Sequence, residues 1–448
     1  MLRFSVKNYG AVAFFRNDCY VISYNFESQY LTITEMNFDL YSLFMYAGFL
    51  GILSILLAEI WMQRKRKIAL YNVADTITNV SCGMSDRLFS LFFDGVQYVI
   101  WSAIGNRFGI FAMPEGWVGV ILCLLVTDFV WYWYHRLGHE VRFLWAVHSL
   151  HHQSENYNIS VGFRISIFQY IVRTCFWIAL PILGFSADVI VLVLVGHALY
   201  QLLLHTQVVP KLGFIEKILV TPSTHRVHHG VNDIYLDKNY GGMFVIWDRL
   251  FGTYEPETEE VKYGITDQTG NMTILEAHTY GFKQLMLPLK LGQRGKEAMA
   301  FFFSKPKDVP EYLVGKTKIS AKQFQPMDDQ KNYVLVQIVL CALGLFYMIF
   351  WSKGWDIAIK STCAIFVCWG ILSASIQWRK YWGLYFFQEG LRIFLWGFLF
   401  FTMGKSGDIP TSASAIMIGL TLLFVVLFLR KLKNRLHEDP FFSGFGRG

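Results

Sequence analysis

Long runs of apolar residues alternate with short polar segments along most of the chain. A helix needs about 17 to 25 mostly apolar residues to cross the hydrocarbon core of a bilayer. Runs of this length lie near 38–60, 88–106, 117–134, 166–184, 187–205, 333–351, 357–377, 382–402 and 412–430. The pattern therefore predicts an all-α, polytopic integral membrane protein with about nine transmembrane helices.

Basic residues beside these runs predict their orientation, because the cytosolic flanks of membrane spans retain Lys and Arg. Basic clusters follow the first, seventh and ninth runs, at 64–67, 379–380 and 430–435. All three clusters are cytosolic if the chain has nine spans, a lumenal N-terminus and a cytosolic C-terminus. The third run then reaches the cytosol at Tyr134, and residues 206–332 are also cytosolic.

The same pattern predicts five parts of the chain. They are an N-terminal lumenal segment at 1–35, a five-span domain at 36–265, a polar cytosolic connector at 266–332, a four-helix transmembrane region at 333–430 and a cytosolic tail at 431–448. All of the clustered histidines lie in the five-span domain.

Composition supports a membrane protein and excludes several other classes. Of the 448 residues, 54% are hydrophobic and only 16% are charged, which is too apolar for an ordinary soluble enzyme. The basic flanks of the spans account for the net charge of +7, and no basic tract interleaved with aromatic residues points to nucleic acid. The seven cysteines are scattered and show no disulfide or metal spacing.

Eight of the twelve histidines form three short clusters, HRLGH at 135–139, HSLHH at 148–152 and HRVHH at 225–229. Residues three and four apart lie on one face of a helix, so each cluster presents its imidazoles together. The clustered histidines are His135, His139, His148, His151, His152, His225, His228 and His229. Eight imidazoles exceed what one ion of four to six ligands can hold, so the clusters predict a site for two metal ions.

His205 ends the fifth run and brings one more nitrogen to the level of the clusters, so we expect it to be a further ligand. No cysteine lies near any cluster, which argues against iron–sulfur and zinc-ribbon chemistry. Iron, zinc, copper and nickel remain candidates on spacing alone.

Acidic residues in and after the third run are candidates for supporting roles. Asp128 falls on the same helix face as His135 and His139, inside the predicted span, and we expect it to accept the second ring N–H of a ligand histidine. Glu140 follows the second histidine and is a candidate ligand, proton acceptor, cofactor contact or solvated surface residue. His197 is predicted to be a buried histidine with satisfied hydrogen bonds.

Two local structures are predicted around the third cluster. Thr221 and Pro222 provide an N-cap and a first helical residue, and Gly230 provides a stop, so HRVHH lies on a very short helix. Residues 237–257 mix Gly turns with apolar residues and are expected to form a lid over the site, with Trp247 and Phe251 at the membrane interface.

The order and spacing of these motifs resemble the fatty acid hydroxylase and sterol desaturase superfamily of membrane di-iron oxygenases. The resemblance covers residues 120–265, which then form most of a catalytic domain at 36–265. It rests on DFVWYWYHRLGHEV, WAVHSLHHQSENYNIS, LYQLLLHT, TPSTHRVHHG and DKNYGGMFVIWDRLFGTYE. These segments are most similar to the branch that acts on alkylglycerols.

The resemblance implies that the eight clustered histidines bind two iron ions. It also implies an enzyme of the endoplasmic reticulum membrane, with its site on the cytosolic side, that uses tetrahydrobiopterin and O2 to hydroxylate the ether-bearing carbon of alkylglycerols. The resulting hemiacetal gives a fatty aldehyde and glycerol. Catalytic roles are expected for Asp128, Glu140, Asn158 and Tyr240, and Glu140 is expected to contact the pterin or a metal.

Two alternatives remain open at the level of sequence. One is a sterol or fatty-acyl hydroxylase or desaturase of the same superfamily that takes its electrons from cytochrome b5. The other is a metal transporter or sensor whose histidines bind zinc. A transporter is expected to place ligands near the bilayer midplane on discontinuous helices, whereas these clusters lie at the cytosolic edge of the predicted spans.

Overall fold

The computed structural model describes residues 11–15, 18–25, 30–35, 38–266, 270, 272–310, 328–351, 357–374 and a few positions between 387 and 430. The chain divides into two compact units, Met1–Gln323 and Phe324–Gly448. The five-part division made from the sequence stays a prediction.

Three strands near the N-terminus form a small antiparallel sheet. They are β1 (Ala11–Phe15), β2 (Asp18–Asn25) and β3 (Tyr30–Glu35), paired in the order β1-β2-β3. The register places Val12 opposite Val21 and Ile22 opposite Ile33. The all-α prediction is wrong for this segment, because its β-branched and aromatic residues favour strands.

The other regular elements of the described residues are helices. The first unit contains α1 (Phe38–Arg66), α2 (Val73–Phe108), α3 (Gly116–Glu140), α4 (Arg142–His152), α5 (Ile167–Trp177), α6 (Ala179–Leu183), α7 (Ala187–Leu203), α8 (Pro222–His228), α9 (Ile246–Leu250), α10 (Ile274–Leu285), α11 (Leu287–Lys290) and α12 (Gly295–Phe303). Two 3₁₀ helices lie at Ile159–Phe163 and Gly213–Lys217. The second unit contains α13 (Asp328–Trp351) and α14 (Ile357–Ala374).

Three helices within the described residues are long and apolar enough to cross a membrane. The segments are Tyr46–Arg66, Val73–Phe108 and Gly116–Glu140, and shorter apolar helices lie at Ile167–Leu183, Ala187–Leu203, Val334–Ile349 and Ile359–Ala374. These helices fit a multi-pass membrane protein. The count of nine spans and their orientation stay predictions, and the predicted spans at 382–402 and 412–430 lie largely outside the described residues.

The helix α2 begins fifteen residues before the predicted span at 88–106. Asn72 caps it by accepting hydrogen bonds from the backbone N–H groups of Ala74 and Asp75. The added turns carry polar residues such as Asp75 and Asn79, which are buried rather than exposed to lipid. A prediction based on the length of apolar runs misses these turns, because their polar side chains form hydrogen bonds inside the protein and need not face water.

An apolar core joins α2, α3 and α5–α7. It consists of Trp101, Cys123, Trp177, Leu180, Phe185, Ala187, Ile190 and Val193. This core holds α3 against α7. The ends of these two helices bring His139 and His205 into the same region of the protein.

Part of the predicted connector is helical and packs against α4, the helix that carries the second histidine cluster. Gln153 donates from Nε2 to the carbonyl of Ala277 in α10, at 3.1 Å. Gly281 permits close packing, since an added Cβ would lie 2.3 Å from the carbonyl oxygen of Ala146. Residues 274–308 therefore support the histidine-bearing helix.

The second unit contains a buried ion pair between two residues that are three apart on a helix. Arg392 Nη2 lies 2.6 Å from Glu389 Oε2, and both side chains are at most 1% exposed. The two charges therefore neutralise each other, as a spacing of three residues on a helix allows.

Candidate metal centre

Nine histidines from four segments of the chain converge on one region. They come from α3, from α4, from the turn after α7, and from α8 with its C-cap. The first group contains His135, His139, His148, His152 and His228, and the second group contains His151, His205, His225 and His229. Within each group, one ring nitrogen from every member lies within 4.8 Å of all the others.

Backbone carbonyl groups orient two members of the first group. His135 Nδ1 lies 2.9 Å from the carbonyl oxygen of Tyr240, and His228 Nδ1 lies 3.0 Å from that of Lys238. A carbonyl oxygen only accepts hydrogen bonds, so each Nδ1 carries the proton and each Nε2 keeps its lone pair. The Nε2 atoms of His135, His139 and His228 are buried and without a hydrogen-bond partner. Buried nitrogens without a partner are costly, and a metal ion would satisfy the lone pairs of His135 and His228 and could also bind His139.

The second group is oriented in the same way. His151 Nδ1 lies 3.2 Å from the carbonyl oxygen of Arg164, and His205 Nδ1 lies 3.0 Å from that of Gln201. Their Nε2 atoms are 3.2 Å apart, and His225 Nε2 is 3.1 Å from His205 Nε2. Since His151 and His205 both carry their proton on Nδ1, two lone pairs face each other. That arrangement is repulsive unless a cation lies between them.

Burial keeps the imidazoles beyond the candidate spans neutral. Loss of water around the charged form lowers the pKa of His151 to about 4 and that of His228 to about 3. The same cause lowers the pKa of His148, His152, His205, His225 and His229. Neutral imidazole is the form that binds metal, so two groups of nitrogen donors fit two transition-metal ions such as iron.

The short helix α8 matches its prediction. It runs over Pro222–His228, Thr221 is its N-cap, and Thr221 and Thr224 form a reciprocal capping box. Asn239 donates from Nδ2 to the carbonyl oxygen of Thr224 at 3.0 Å, which ties α8 to the following loop. A seven-residue helix is unstable alone, so the caps and this contact hold HRVHH in place.

Asp128 is fully buried, but the structure corrects the expectation that it accepts from a ligand histidine. Its Oδ1 lies 2.7 Å from Nε2 of His197, which belongs to neither group. It also accepts from the backbone N–H groups of Met243 and Phe244 and from Nε1 of Trp247, at 2.6 to 3.0 Å. Asp128 therefore fastens the loop after the third cluster to α3.

Replacing Asp128 with Asn tests this fastening role. The Asn side chain has an NH₂ donor in place of one carboxylate oxygen of Asp128, which accepts hydrogen bonds from four donors. Each buried donor left without a partner lowers the stability by about 1–3 kcal/mol. Hydrogen exchange of residues 240–251 is expected to quicken by about tenfold or more. The exposed Asp233→Asn variant is the control. Equal exchange in both variants would contradict the role.

The predicted lid packs along the side of α3. Phe251 stacks on Tyr132 with ring centroids 5.2 Å apart. Gly242 lets the loop approach closely, because an added Cβ would lie 2.6 Å from Cε1 of His197. The carboxylate of Asp248 accepts from the backbone N–H of Tyr240 at 2.7 Å, and the carbonyl of Tyr240 in turn faces His135. The loop therefore positions a member of the first group.

Two of the predicted catalytic residues occupy different surroundings. Glu140 lies outside both histidine groups, with Arg136 Nε 2.9 Å and Lys305 Nζ 3.6 Å from its oxygens, and its side chain is 21% exposed. Tyr240 is fully buried beside the first group, 5.3 Å from His139 between ring centroids, and its hydroxyl has no hydrogen-bond partner. Tyr240 thus faces the histidines directly, and Glu140 does not.

The remaining predicted catalytic residue, Asn158, makes structural contacts. Its Oδ1 caps the 3₁₀ helix Ile159–Phe163 by accepting from the backbone N–H of Ser160 at 3.0 Å. Its Nδ2 donates to the carbonyl oxygen of Leu70 at 2.8 Å. These bonds satisfy the side chain and join two segments beside the site.

A buried charge network that the sequence analysis missed supports α4. The guanidinium of Arg164 contacts Asp75 Oδ1 at 3.1 Å, Asn79 Oδ1 at 2.7 Å and the carbonyl oxygen of Leu150 at 2.9 Å. Its own carbonyl oxygen faces His151. An arginine enclosed by apolar residues in SVGFRISIF was the available sequence signal.

Glu59 in α1 is a second residue that the sequence analysis missed. It is fully buried and accepts from Thr206 Oγ1 at 2.6 Å, from the backbone N–H of Ile159 at 3.2 Å and from the hydroxyl of Tyr71. Thr206 follows His205 directly, so Glu59 anchors the turn that carries this histidine. The sequence signal for a structural role of Glu59 was the presence of a charged residue inside an apolar run.

Comparisons with known proteins agree with this site. Residues 120–253 match the family described as fatty acid hydroxylase. Alkylglycerol monooxygenase from Homo sapiens is 42% identical over 194 residues, which are 43% of this chain and 43% of that protein. Alkylglycerol monooxygenase from Danio rerio is 40% identical over 204 residues, 45% of each chain.

A bacterial protein is also similar. Ornithine lipid hydroxylase OlsE from Rhizobium tropici is 35% identical over 167 residues, which are 34% of this chain and 48% of that protein. The chain therefore spans less than half the length of these relatives. No solved structure matches it. The predicted resemblance is confirmed: the part of the chain that holds all nine histidines matches the fatty acid hydroxylase family and is similar to alkylglycerol monooxygenase.

Proposed function

We propose that this protein is a tetrahydrobiopterin-dependent di-iron monooxygenase that hydroxylates the ether-bearing carbon of alkylglycerols. The observation that carries the proposal is the pair of buried histidine groups within a segment similar to alkylglycerol monooxygenase. One oxygen atom of O2 enters the C–H bond and the other leaves as water, with two electrons from the reduced pterin. The hemiacetal then breaks its C–O bond to give a fatty aldehyde and glycerol.

The two histidine groups are the proposed iron ligands. Bound iron supplies the redox chemistry with O2 that an unactivated C–H bond requires and that side chains lack. The protein's own contribution is to present neutral nitrogens in fixed directions, through carbonyl groups such as those of Tyr240 and Arg164. Burial of the site also excludes bulk water from the reaction.

Tyr240 is proposed to act next to the first group. Burial raises the pKa of its phenol well above the usual value, so the hydroxyl stays protonated at neutral pH. It is therefore an unpaired O–H donor beside the histidines, suited to hold an oxygen atom of the substrate in place. Asn158 contributes by holding the adjacent 3₁₀ helix.

Glu140 is proposed to bind the pterin rather than a metal, since it lies outside both groups and is partly exposed. A carboxylate accepts hydrogen bonds from pterin N–H groups, and such charge-assisted bonds contribute about 1.5–3 kcal/mol. Glu140→Gln is expected to raise the KM for tetrahydrobiopterin by about tenfold or more and to leave the KM for alkylglycerol unchanged. Glu297→Gln, an exposed change in α12, is the control. A pterin KM equal to that of the control would refute the assignment.

The proposed substrate and the apolar helices support a location in a membrane. Alkylglycerols reside in bilayers, and apolar helices of this chain are suited to the same environment. We propose a multi-pass protein of the endoplasmic reticulum membrane whose site faces the cytosol, where reduced pterin and O2 reach it.

Membranes that contain the protein test the proposal directly. They are incubated with an alkylglycerol, with and without tetrahydrobiopterin, and fatty aldehyde is measured. Aldehyde is expected only with the pterin and not from the His148→Ala variant. Strict dependence on cytochrome b5, or oxidation of another lipid without aldehyde, would instead support a sterol or fatty-acyl hydroxylase or desaturase. Metal flux in proteoliposomes without oxygenase activity would support a transporter.

A further inference from the structure

Two segments beyond α7 together form an exposed apolar surface in the first unit. A bridge between Leu219 and Phe244 joins them, with a backbone hydrogen bond of 3.0 Å from Val245 to Ile218. The apolar side chains exposed on them are Leu212, Phe214, Ile215, Ile218, Ile246 and Leu250, at 38% to 70%. We call these six residues the insertion surface. Six large apolar groups exposed to water would be costly.

The insertion surface continues the lipid-facing stripe of α3. That stripe consists of Val118, Ile121, Leu122, Leu125 and Phe129, which are all exposed and recur at helical spacing along a candidate span. Trp247 lies against the end of the stripe, 4.9 Å from Phe129 between ring centroids, and donates from Nε1 to Asp128. Phe129 lies five residues before Tyr134, where the predicted third span reaches the cytosol, which is roughly 7 Å along the helix axis. The helix α9 is therefore level with the span and not beyond it.

The charges around the insertion surface suit a membrane. The acidic residues of the two segments are engaged internally, because Glu216 accepts from the backbone N–H of Leu212 and Asp248 is buried. The basic residues Lys211, Lys217 and Arg249 are exposed. Apolar groups bordered by cations are typical of protein surfaces that insert among lipid head groups.

We propose that the insertion surface is embedded in the same bilayer as the spans, at the depth of the head-group and acyl boundary. The segments at 212–219 and 244–250 then both lie in the membrane. The topology predicted from charge placed residues 206–332 in the cytosol, and the sequence placed only Trp247 and Phe251 at the membrane interface. Because the same loop carries the carbonyl groups that face His135 and His228, insertion fixes this part of the histidine site against the bilayer. The proposal is independent of the reaction that the site catalyses.

Site-specific fluorescence tests the proposal on the full chain. A small fluorescent amino acid replaces Ile218 or Leu250, and Asp233, an exposed charged position, provides the control. Each variant is reconstituted in phosphatidylcholine vesicles, and its metal content is checked to show that the fold is retained. Quenching is measured with a lipid that carries a nitroxide near its glycerol backbone and with aqueous iodide.

The lipid nitroxide is expected to quench positions 218 and 250 several-fold more strongly than position 233, and iodide is expected to show the reverse order. Iodide quenching at 218 and 250 equal to that at 233 would show that the surface faces water and would overturn the proposal. Protection from both quenchers, together with cross-linking between copies through position 250, would show that a second chain covers the surface and would overturn it as well.

Discussion

Replacement of His225 by Ala is expected to lower the metal content of the purified protein from about two ions per chain to about one. The second group has four members, and His225 Nε2 lies 3.1 Å from that of His205. Three imidazoles would remain around one ion, while the five nitrogens of the first group stay in place. Activity should fall by more than about 100-fold, since even partners of ligands contribute 10–100-fold in affinity or activity.

Metal analysis by mass spectrometry, combined with the aldehyde assay, measures both effects. The matched control is His278→Ala, since His278 is also a buried histidine but donates to the carbonyl of Ile274 in α10 and belongs to neither group. The control should retain both ions. A His225→Ala protein with two ions, or equal losses in both variants, would contradict the assignment of the second group.

Replacement of Arg164 by Ala is expected to destabilise the protein by about 3–5 kcal/mol, because it leaves a buried charge without its partner. The side chains of Arg164 and Asp75 are 1% and 4% exposed, and their nearest charged atoms are 3.1 Å apart. The variant also removes the hydrogen bond to Leu150 that holds α4. Denaturant unfolding in detergent micelles measures the loss.

A surface ion pair provides the control for Arg164. Lys307 and Asp237 are 62% and 32% exposed at 3.4 Å, so Lys307→Ala is expected to cost less than about 1 kcal/mol. The double variant Arg164→Met with Asp75→Leu should regain part of the lost stability, because it removes both charges. If Arg164→Ala costs no more than Lys307→Ala, the network does not support α4 as described.

The sequence was sufficient to predict that these histidines come together and that α8 is a short helix, but not how HSLHH and HRVHH are divided between the two groups. Histidines three or four residues apart must share a helix face, so HRLGH, HSLHH and HRVHH each gather their imidazoles whatever the tertiary fold. The position of His205 at the end of an apolar run also indicated that it lies at the level of the three clusters. Thr221 and Pro222 act through neighbours in sequence, which is why α8 could be delimited.

Contacts between distant segments could not be predicted. The partner of Asp128 proved to be His197, 69 residues away, because the face of α3 that meets α7 depends on packing. The roles of Arg164 and Glu59 depend likewise on which buried groups the fold places opposite them. The length of the apolar run also failed to predict where α2 begins, because the first turns of this helix carry polar residues that are buried against other parts of the protein.

The strands β1, β2 and β3 were missed for a local reason. Their β-branched and aromatic residues favour strands, and YLTITE in β3 alternates apolar and polar residues, but none of the three segments is long enough to resemble a membrane span. Helices α10 to α12 were similarly hidden in a segment whose lysines and prolines suggested only a connector.

The most direct measurement supplies the purified, iron-loaded protein with an alkylglycerol, tetrahydrobiopterin and O2 labelled with heavy oxygen. Borohydride traps the fatty aldehyde as an alcohol before its oxygen exchanges with water. A labelled fatty alcohol and unlabelled glycerol are expected to form without cytochrome b5, because the new oxygen is attached to the ether-bearing carbon. An unlabelled fatty product, or none without cytochrome b5, would contradict the proposed hydroxylation.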